Sequence, residues 1–246
     1  MEIIVNAIVL KAVDYKDNDK ILTLFSLEKG KITAGIKGVK KSGAKLKFAS
    51  EPLAFCEYVL AEKNGRYTVT GATYIDSFFN LRLDLLKYYS SAVVADSLNA
   101  LVTEGEADSN LFSLAINVIK SINYQSEELK ALSYYLLNLA EILGYQIQSL
   151  NCLGCGEEIS GRVFFSPTFA EFYCFNCKDE KAIEITLETY NGLQKIINAN
   201  LDSVLKGELT KTQQVKLIKF LFYYIQTKTD SNLKTAVSLI EFLKNY

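Results

Sequence analysis

The sequence predicts an α+β protein: a five-stranded barrel at the N-terminus, then an all-helical domain with a four-cysteine module inserted in it. Three observations support this. The first 80 residues fall into short apolar, β-branched stretches separated by turn signals. From about Ser77 the apolar residues recur at helical spacing. Cys152, Cys155, Cys174 and Cys177 form two C-x-x-C pairs with 18 residues between them. The boundaries expected are 1–80 for the barrel, 81–149 and 179–246 for the helical domain, and 150–178 for the module.

The first strand, 3–13, is rich in β-branched residues. The second, 20–26, alternates through Ile21, Thr23 and Phe25, and Glu28-Lys29-Gly30 turns the chain into a third over 31–39. A longer connection rich in lysine and glycine follows. A fourth strand, 53–61, meets a fifth, 66–75, across Asn64-Gly65, a dipeptide suited to a tight hairpin. Five short strands with one longer connection after the third suit a small barrel of the oligonucleotide-binding (OB) type. An SH3-like barrel has the same strand count, and the count does not separate them. Cys56 alternates with apolar neighbours and reads as a buried small hydrophobe.

In the second part, 79–102 reads as one long amphipathic helix. Asp108 or Ser109 can cap a helix to about 122, and Ser126-Glu127-Glu128 opens another that stops at Gly144. After the cysteines, Thr186 opens a helix to about 200, Thr210 or Thr212 opens one through Ile225, and 231–245 forms the last. The tyrosine pairs at 88–89, 134–135 and 223–224 read as core packing rather than as a stacking surface for bases.

Thiolates two residues apart can hold one side of a tetrahedral ion, and a second such pair closes the shell. Gly156 suits the tight knuckle after the second thiol, and strands at 162–165 and 171–175 around Ser166-Pro167 would bring the pairs together. With no histidine in the chain, all four ligands are sulfur. Protein fills every position and none is left for water, so zinc here is structural. A disulfide framework would need an oxidising compartment, and a redox C-x-x-C explains one pair but not both. No apolar run approaches the length of about 18 residues that a membrane span needs, and no basic leader precedes the first strand. A cytoplasmic location with reduced thiols is expected.

The net charge of −1 conceals a division, because residues 1–80 carry 12 Lys/Arg against 9 Asp/Glu. Residues 29–50 hold seven lysines and no acidic residue. Lys31, Lys37, Lys40, Lys41, Lys45 and Lys47 are therefore the candidate nucleic-acid-binding residues, since like charges without counter-ions favour a polyanion. Gly35, Gly38 and Gly43 would let backbone amides approach phosphate, and Tyr15, Phe48, Tyr58 and Tyr67 could stack on bases. A solvated loop is the alternative. The segment Gly38 to Gly43 has the glycines of a P-loop, but Ala44 and Lys45 stand where lysine and a hydroxyl are required, which excludes nucleotide hydrolysis there. No nucleophile elbow or carboxylate pair stands out, so a binding protein rather than an enzyme is expected.

Ala7-Ile8-Val9-Leu10-Lys11, Tyr15, Asp19, Leu22-Thr23-Leu24-Phe25, Gly30 and Ile36-Lys37-Gly38-Val39-Lys40 together resemble the start of the RecO recombination-mediator family. The order of parts resembles it too. The resemblance implies an accessory protein of recombinational repair, nucleoid-associated in the cytoplasm and without cofactor turnover. Such proteins bind single- and double-stranded DNA, anneal complementary strands and, with RecR, load RecA onto strand coated by single-stranded-DNA-binding protein. The six lysines would contact DNA and the four cysteines would hold zinc. Two departures stand out: Asp17 replaces the family's usual glutamate, and lysine replaces much of its arginine. The competing classes are an RNA-binding module and a protein adaptor with a structural zinc ribbon.

Overall fold

The computed structural model describes residues 2–244. They form two compact units: one runs to Tyr124 and includes Leu233–Thr235, and the other comprises Gln125–Asn232 and continues from Ala236.

The first unit begins with β1 (Glu2–Tyr15), β2 (Asp19–Ser26), β3 (Gly30–Ile36), β4 (Phe55–Lys63) and β5 (Arg66–Asp76). They close in the order β1-β2-β3-β5-β4. β1 serves two neighbours: Glu2–Ile8 pairs with β4, and Ala7–Tyr15 pairs with β2 across a bulge between Val9 and Lys11. β3 meets β5 in parallel over Ala34–Ile36. This parallel closure and strand order are those of an OB barrel, which resolves the ambiguity left by strand count. Alternation sends Val5, Leu22, Leu24, Ile36 and Leu60 inward. Cys56 is fully buried among them, and burial pushes its thiol up to about 11.

Two strand ends differ from expectation. β3 stops at Ile36 rather than 39 because Gly38 turns with φ +68 and its N–H is captured by the Asp19 carboxylate at 2.8 Å. β4 starts at Phe55 because Leu53 sits at φ 65, outside any strand conformation.

The long helix expected over 79–102 is broken. A short 3-10 turn spans Phe79–Arg82, and α1 (Leu85–Leu101) starts afresh with Asp84 as its N-cap. The Asp84 carboxylate accepts from the backbone N–H groups of Leu86 at 2.8 Å and Lys87 at 3.1 Å. Phe79, Leu83 and Leu85, at this break, are exposed. In α2 (Ser109–Tyr124), Phe112 packs on the barrel rings of Phe25 and Phe55 at 5.7 and 6.1 Å.

The loop between α1 and α2 lies along the part of β3 that β5 leaves unpaired. The Gly105 N–H donates to the Lys31 carbonyl at 2.8 Å. Gly30, at φ +63, lies so close that a Cβ there would sit 1.9 Å from the Glu106 carbonyl oxygen. Gly30→Ala is therefore expected to cost about 2–3 kcal/mol, near the upper end for single substitutions. Urea unfolding would show this as a lower midpoint at unchanged slope.

The second unit contains α3 (Glu128–Ile142), β6 (Val163–Ser166), β7 (Glu171–Cys174), β8 (Ile183–Ile185), α4 (Leu187–Ile196), α5 (Leu201–Lys206), α6 (Lys211–Thr229) and most of α7 (Lys234–Lys244). The described residues thus hold seven α-helices. β8, unforeseen in the sequence, completes a sheet of order β7-β6-β8. The helix expected over 186–200 stops early, as α4 ends at Ile196 before Asn198 at φ 57, and α5, capped by the Asn200 side chain, lies beyond it and was not foreseen. Thr210 caps α6 reciprocally with Gln213. The last helix starts at Lys234 rather than 231, and Asn245 lies outside the described residues. Among the tyrosine pairs, Tyr135 and Tyr224 are fully buried, whereas Tyr88 and Tyr223 are exposed.

The inner face of the cysteine module is shared with the helices of the same unit. Phe165 and Phe172 are fully buried, Phe165 against Phe220 and Tyr224 at 4.9 and 5.3 Å and Phe172 against Tyr190 at 5.6 Å. No helix of the described residues is long and apolar enough to cross a membrane.

Candidate nucleic-acid groove and metal centre

OB barrels bind oligonucleotides on the β2–β3 face, between the β1–β2 and β4–β5 loops. Here that place is a groove of about 810 Å³. Tyr15 and Lys20 line it beside the β1–β2 turn, Gly65, Arg66 and Tyr67 line it at the β4–β5 turn, and Ile21, Thr33, Gly35 and Lys37 form its floor. Lys29 and Glu104 complete its walls. The groove thus brings together four cations, Lys20, Lys29, Lys37 and Arg66, with two tyrosines. Tyr15 is 48% exposed and Tyr67 is half-buried, so both have ring surface open to a ligand.

The six lysines selected from the sequence do not gather as one group. Lys37 is exposed and lines the groove. Lys41 is also exposed and lines an adjoining depression that shares Asp19 and Lys37 with it. Lys40 pairs with Asp14 at 2.6 Å, an ion pair that also holds the Asp14 carboxyl below its usual range. The half-buried Lys31 donates to the Asn99 carbonyl at 2.9 Å. Lys45 and Lys47 are exposed and line neither depression.

Selecting by run of like charge missed Lys20 and Arg66, which lie far apart in sequence. Their positions at the starts of β2 and β5, beside the two loops an OB barrel uses, would have marked them. Two other expectations are corrected. Tyr58 cannot stack on a base: it is fully buried, and its hydroxyl donates to the Ala49 carbonyl at 2.8 Å. The Gly38 amide is engaged by Asp19 and is not free to meet a phosphate. Phe48 is half-buried against Tyr74, with ring centroids 4.4 Å apart.

In the second unit the four Sγ atoms of Cys152, Cys155, Cys174 and Cys177 all lie within 4.8 Å of one another. A tetrahedral zinc site with bonds of about 2.3 Å has sulfur–sulfur edges of about 3.8 Å, so the cluster fits one such ion. The knuckles are built from backbone. The Cys152 N–H donates to the Glu157 carbonyl at 2.9 Å, and its own carbonyl accepts from the Gly156 N–H at 2.7 Å. Gly156, at φ +76, makes that turn. The Cys174 N–H donates to the Cys152 sulfur at 3.3 Å, joining the two pairs. At Gly154 a Cβ would come within 2.6 Å of the Cys177 Cβ, so the knuckles approach as closely as glycine allows.

Burial opposes ionisation of Cys152, but amides from Cys174, Cys155 and Gly154 facing its sulfur outweigh it and bring the thiol down to about 6. Cys177 is pushed up to about 12, chiefly by its hydrogen bond with Cys174 and then by burial. Four thiols in so small a space cannot all ionise unless a cation shares it. These four cysteines can hold a metal ion.

An OB barrel with a cationic groove, together with a helical unit bearing a four-thiol centre, defines a class of barrel-and-helix proteins equipped for a polyanion. Residues 1–78 match the family model Recombination protein O N terminal, and residues 82–236 match Recombination protein O C terminal. The chain belongs to the RecO family, which places it in DNA repair. It is 30% identical over 243 residues to the DNA repair protein RecO of Clostridium perfringens (strain 13), with 96% of each chain covered. The DNA repair protein RecO of Desulforamulus reducens is 30% identical over 241 residues, covering 94% of this chain and 91% of its own. That of Acetivibrio thermocellus is 26% identical over 230 residues, covering 92% of each.

Proposed function

We propose that the protein is a recombination mediator that grips single-stranded DNA with its barrel domain, residues 1–80. It also binds duplex, anneals complementary strands and, with RecR, helps to load RecA onto strand coated by single-stranded-DNA-binding protein. The observation that carries this reading is the convergence of Lys20, Lys29, Lys37 and Arg66, with Tyr15 and Tyr67, at the site an OB barrel uses for oligonucleotides. Cations on both sides of the strand lower the repulsion between two phosphate backbones, and base pairing then drives annealing. Of the lysines in the basic run, Lys37 and Lys41 contact phosphate directly. Lys31, Lys40, Lys45 and Lys47 add to the field that draws the strand in.

The groove offers cations and rings and no activated nucleophile, which supports binding rather than turnover. Zinc on Cys152, Cys155, Cys174 and Cys177 (module 150–178) is structural: it cross-links the knuckles and takes no part in chemistry. Reduced thiols and a DNA partner support a cytoplasmic, nucleoid-associated location.

With about five phosphate contacts, log affinity for single strands should fall with log salt at a slope near −3.5, a loss of about a hundredfold between about 50 and 200 mM. Fluorescence anisotropy would measure this. Annealing of complementary oligonucleotides precoated with single-stranded-DNA-binding protein would test the mediator role. A salt-independent affinity, or no acceleration of annealing, would overturn the reading. Binding to RNA but not to DNA would do the same.

A further inference from the structure

The groove contains a fixed negative charge that a nucleic-acid site does not need for affinity. Glu104 reaches it from the loop between α1 and α2. The Thr33 hydroxyl donates to Glu104 Oε1 at 3.2 Å, and Oε2 has no partner among the described residues. The loop cannot easily withdraw. It is pinned by the Gly105–Lys31 backbone hydrogen bond of 2.8 Å and lies directly against Gly30. The other carboxylate in the groove, Asp19, already accepts the Gly38 N–H at 2.8 Å.

We propose that Glu104 makes the groove select single strands over duplex. This inference rests on the groove being the DNA site. A single strand can turn its phosphates towards Lys20, Lys29, Lys37 and Arg66 and its bases towards Glu104, Tyr15 and Tyr67. There a carboxylate accepts from free exocyclic amines, and the tyrosines stack. In a duplex those amines are engaged in pairing or face the grooves, and phosphates flank both sides at about one charge per 1.7 Å of axis. One backbone on the cations then brings the other towards Glu104, which repels it. The volume of about 810 Å³ is that of a small-ligand pocket, enough for a few nucleotides of one strand.

The test is Glu104→Gln in the full chain. Glutamine keeps an acceptor for Thr33, and a thermal melt checks that the fold is retained. Anisotropy titrations would use a mixed-sequence oligonucleotide and its duplex at several salt concentrations. Duplex affinity is expected to rise about three- to fivefold at low salt, with single-strand affinity changed by less than about twofold. The difference should shrink as salt rises. Equal gains for both ligands, or no gain for duplex, overturn the inference. Lys37→Glu separates this from the groove assignment itself. If that variant binds single strands as tightly as the unaltered protein, the groove is not the DNA site and the role of Glu104 falls with it. If it weakens binding while Glu104→Gln changes nothing, the groove stands and only the selectivity fails.

Discussion

Cys152→Ser is expected to abolish metal binding and to unfold the knuckles without unfolding the helices they rest on. Cys152 is the most buried of the four thiols, at 1% exposure, and it joins the two pairs: its sulfur accepts the Cys174 N–H at 3.3 Å. A serine there offers a poor ligand and leaves three thiols to share an ion they cannot enclose. Structural zinc contributes about 10–16 kcal/mol of apparent binding energy in small zinc domains at neutral pH. Here part of the module is held independently. Phe165 and Phe172 are buried against α4 and α6, and the Lys228 ammonium donates to the Thr168 carbonyl at 2.8 Å. Loss of metal should therefore give a partly folded second unit and a separate early unfolding step, not a random coil. Atomic spectroscopy should find about one zinc per chain before substitution and almost none after it. Metal-free protein with four freely titrating thiols, or a variant that still carries its full metal, would contradict this. Acidification should release the ion too, because the ligands must be thiolates.

The second large effect is expected from Lys37→Glu combined with Arg66→Glu. These residues lie just after β3 and at the start of β5, and both line the groove. Reversing them removes two phosphate contacts and adds two repulsive charges, so affinity for single-stranded DNA should drop about a hundredfold or more at low salt, with a shallower salt dependence. The informative comparison is Lys45→Glu with Lys47→Glu. It makes the same change of charge in the basic run but outside the groove, and less than about a threefold loss is expected from long-range attraction alone at moderate salt. Equal losses in the two double variants would mean that the run of lysines, rather than the groove, meets the DNA. Lys37, Lys45 and Lys47 are exposed, so their substitution leaves the barrel core untouched, and circular dichroism should be unchanged.

Helix caps were readable where a side chain makes the cap: Asp108 accepts the Asn110 N–H at 2.9 Å, and Thr210 caps α6. Asp84 and Asn200 also cap with their side chains, but apolar residues run on across both places and neither glycine nor proline marks a break, so apolar spacing passes over these two starts. Phe79 and Leu83, four apart, match the helical period, yet both face solvent. A period records which residues could share a face. It does not record whether anything packs on that face.

From the sequence alone came the barrel's five strands, the change to helices, and the four cysteines as one set of ligands. Each depends on spacing along the chain: alternation by two, apolar recurrence near four, and thiols three apart. The composition of the groove depended on closure. β3 meets β5 in parallel only over Ala34–Ile36, and that contact brings Arg66 and Tyr67 beside Lys37 and Lys20. The same fold occupies Lys31 with a carbonyl, pairs Lys40 with Asp14, buries Tyr58 and introduces Glu104 from a loop far along the chain. Charge counted along a sequence is blind to such partners, because Coulomb energy depends on distance through space and on the solvent between the groups.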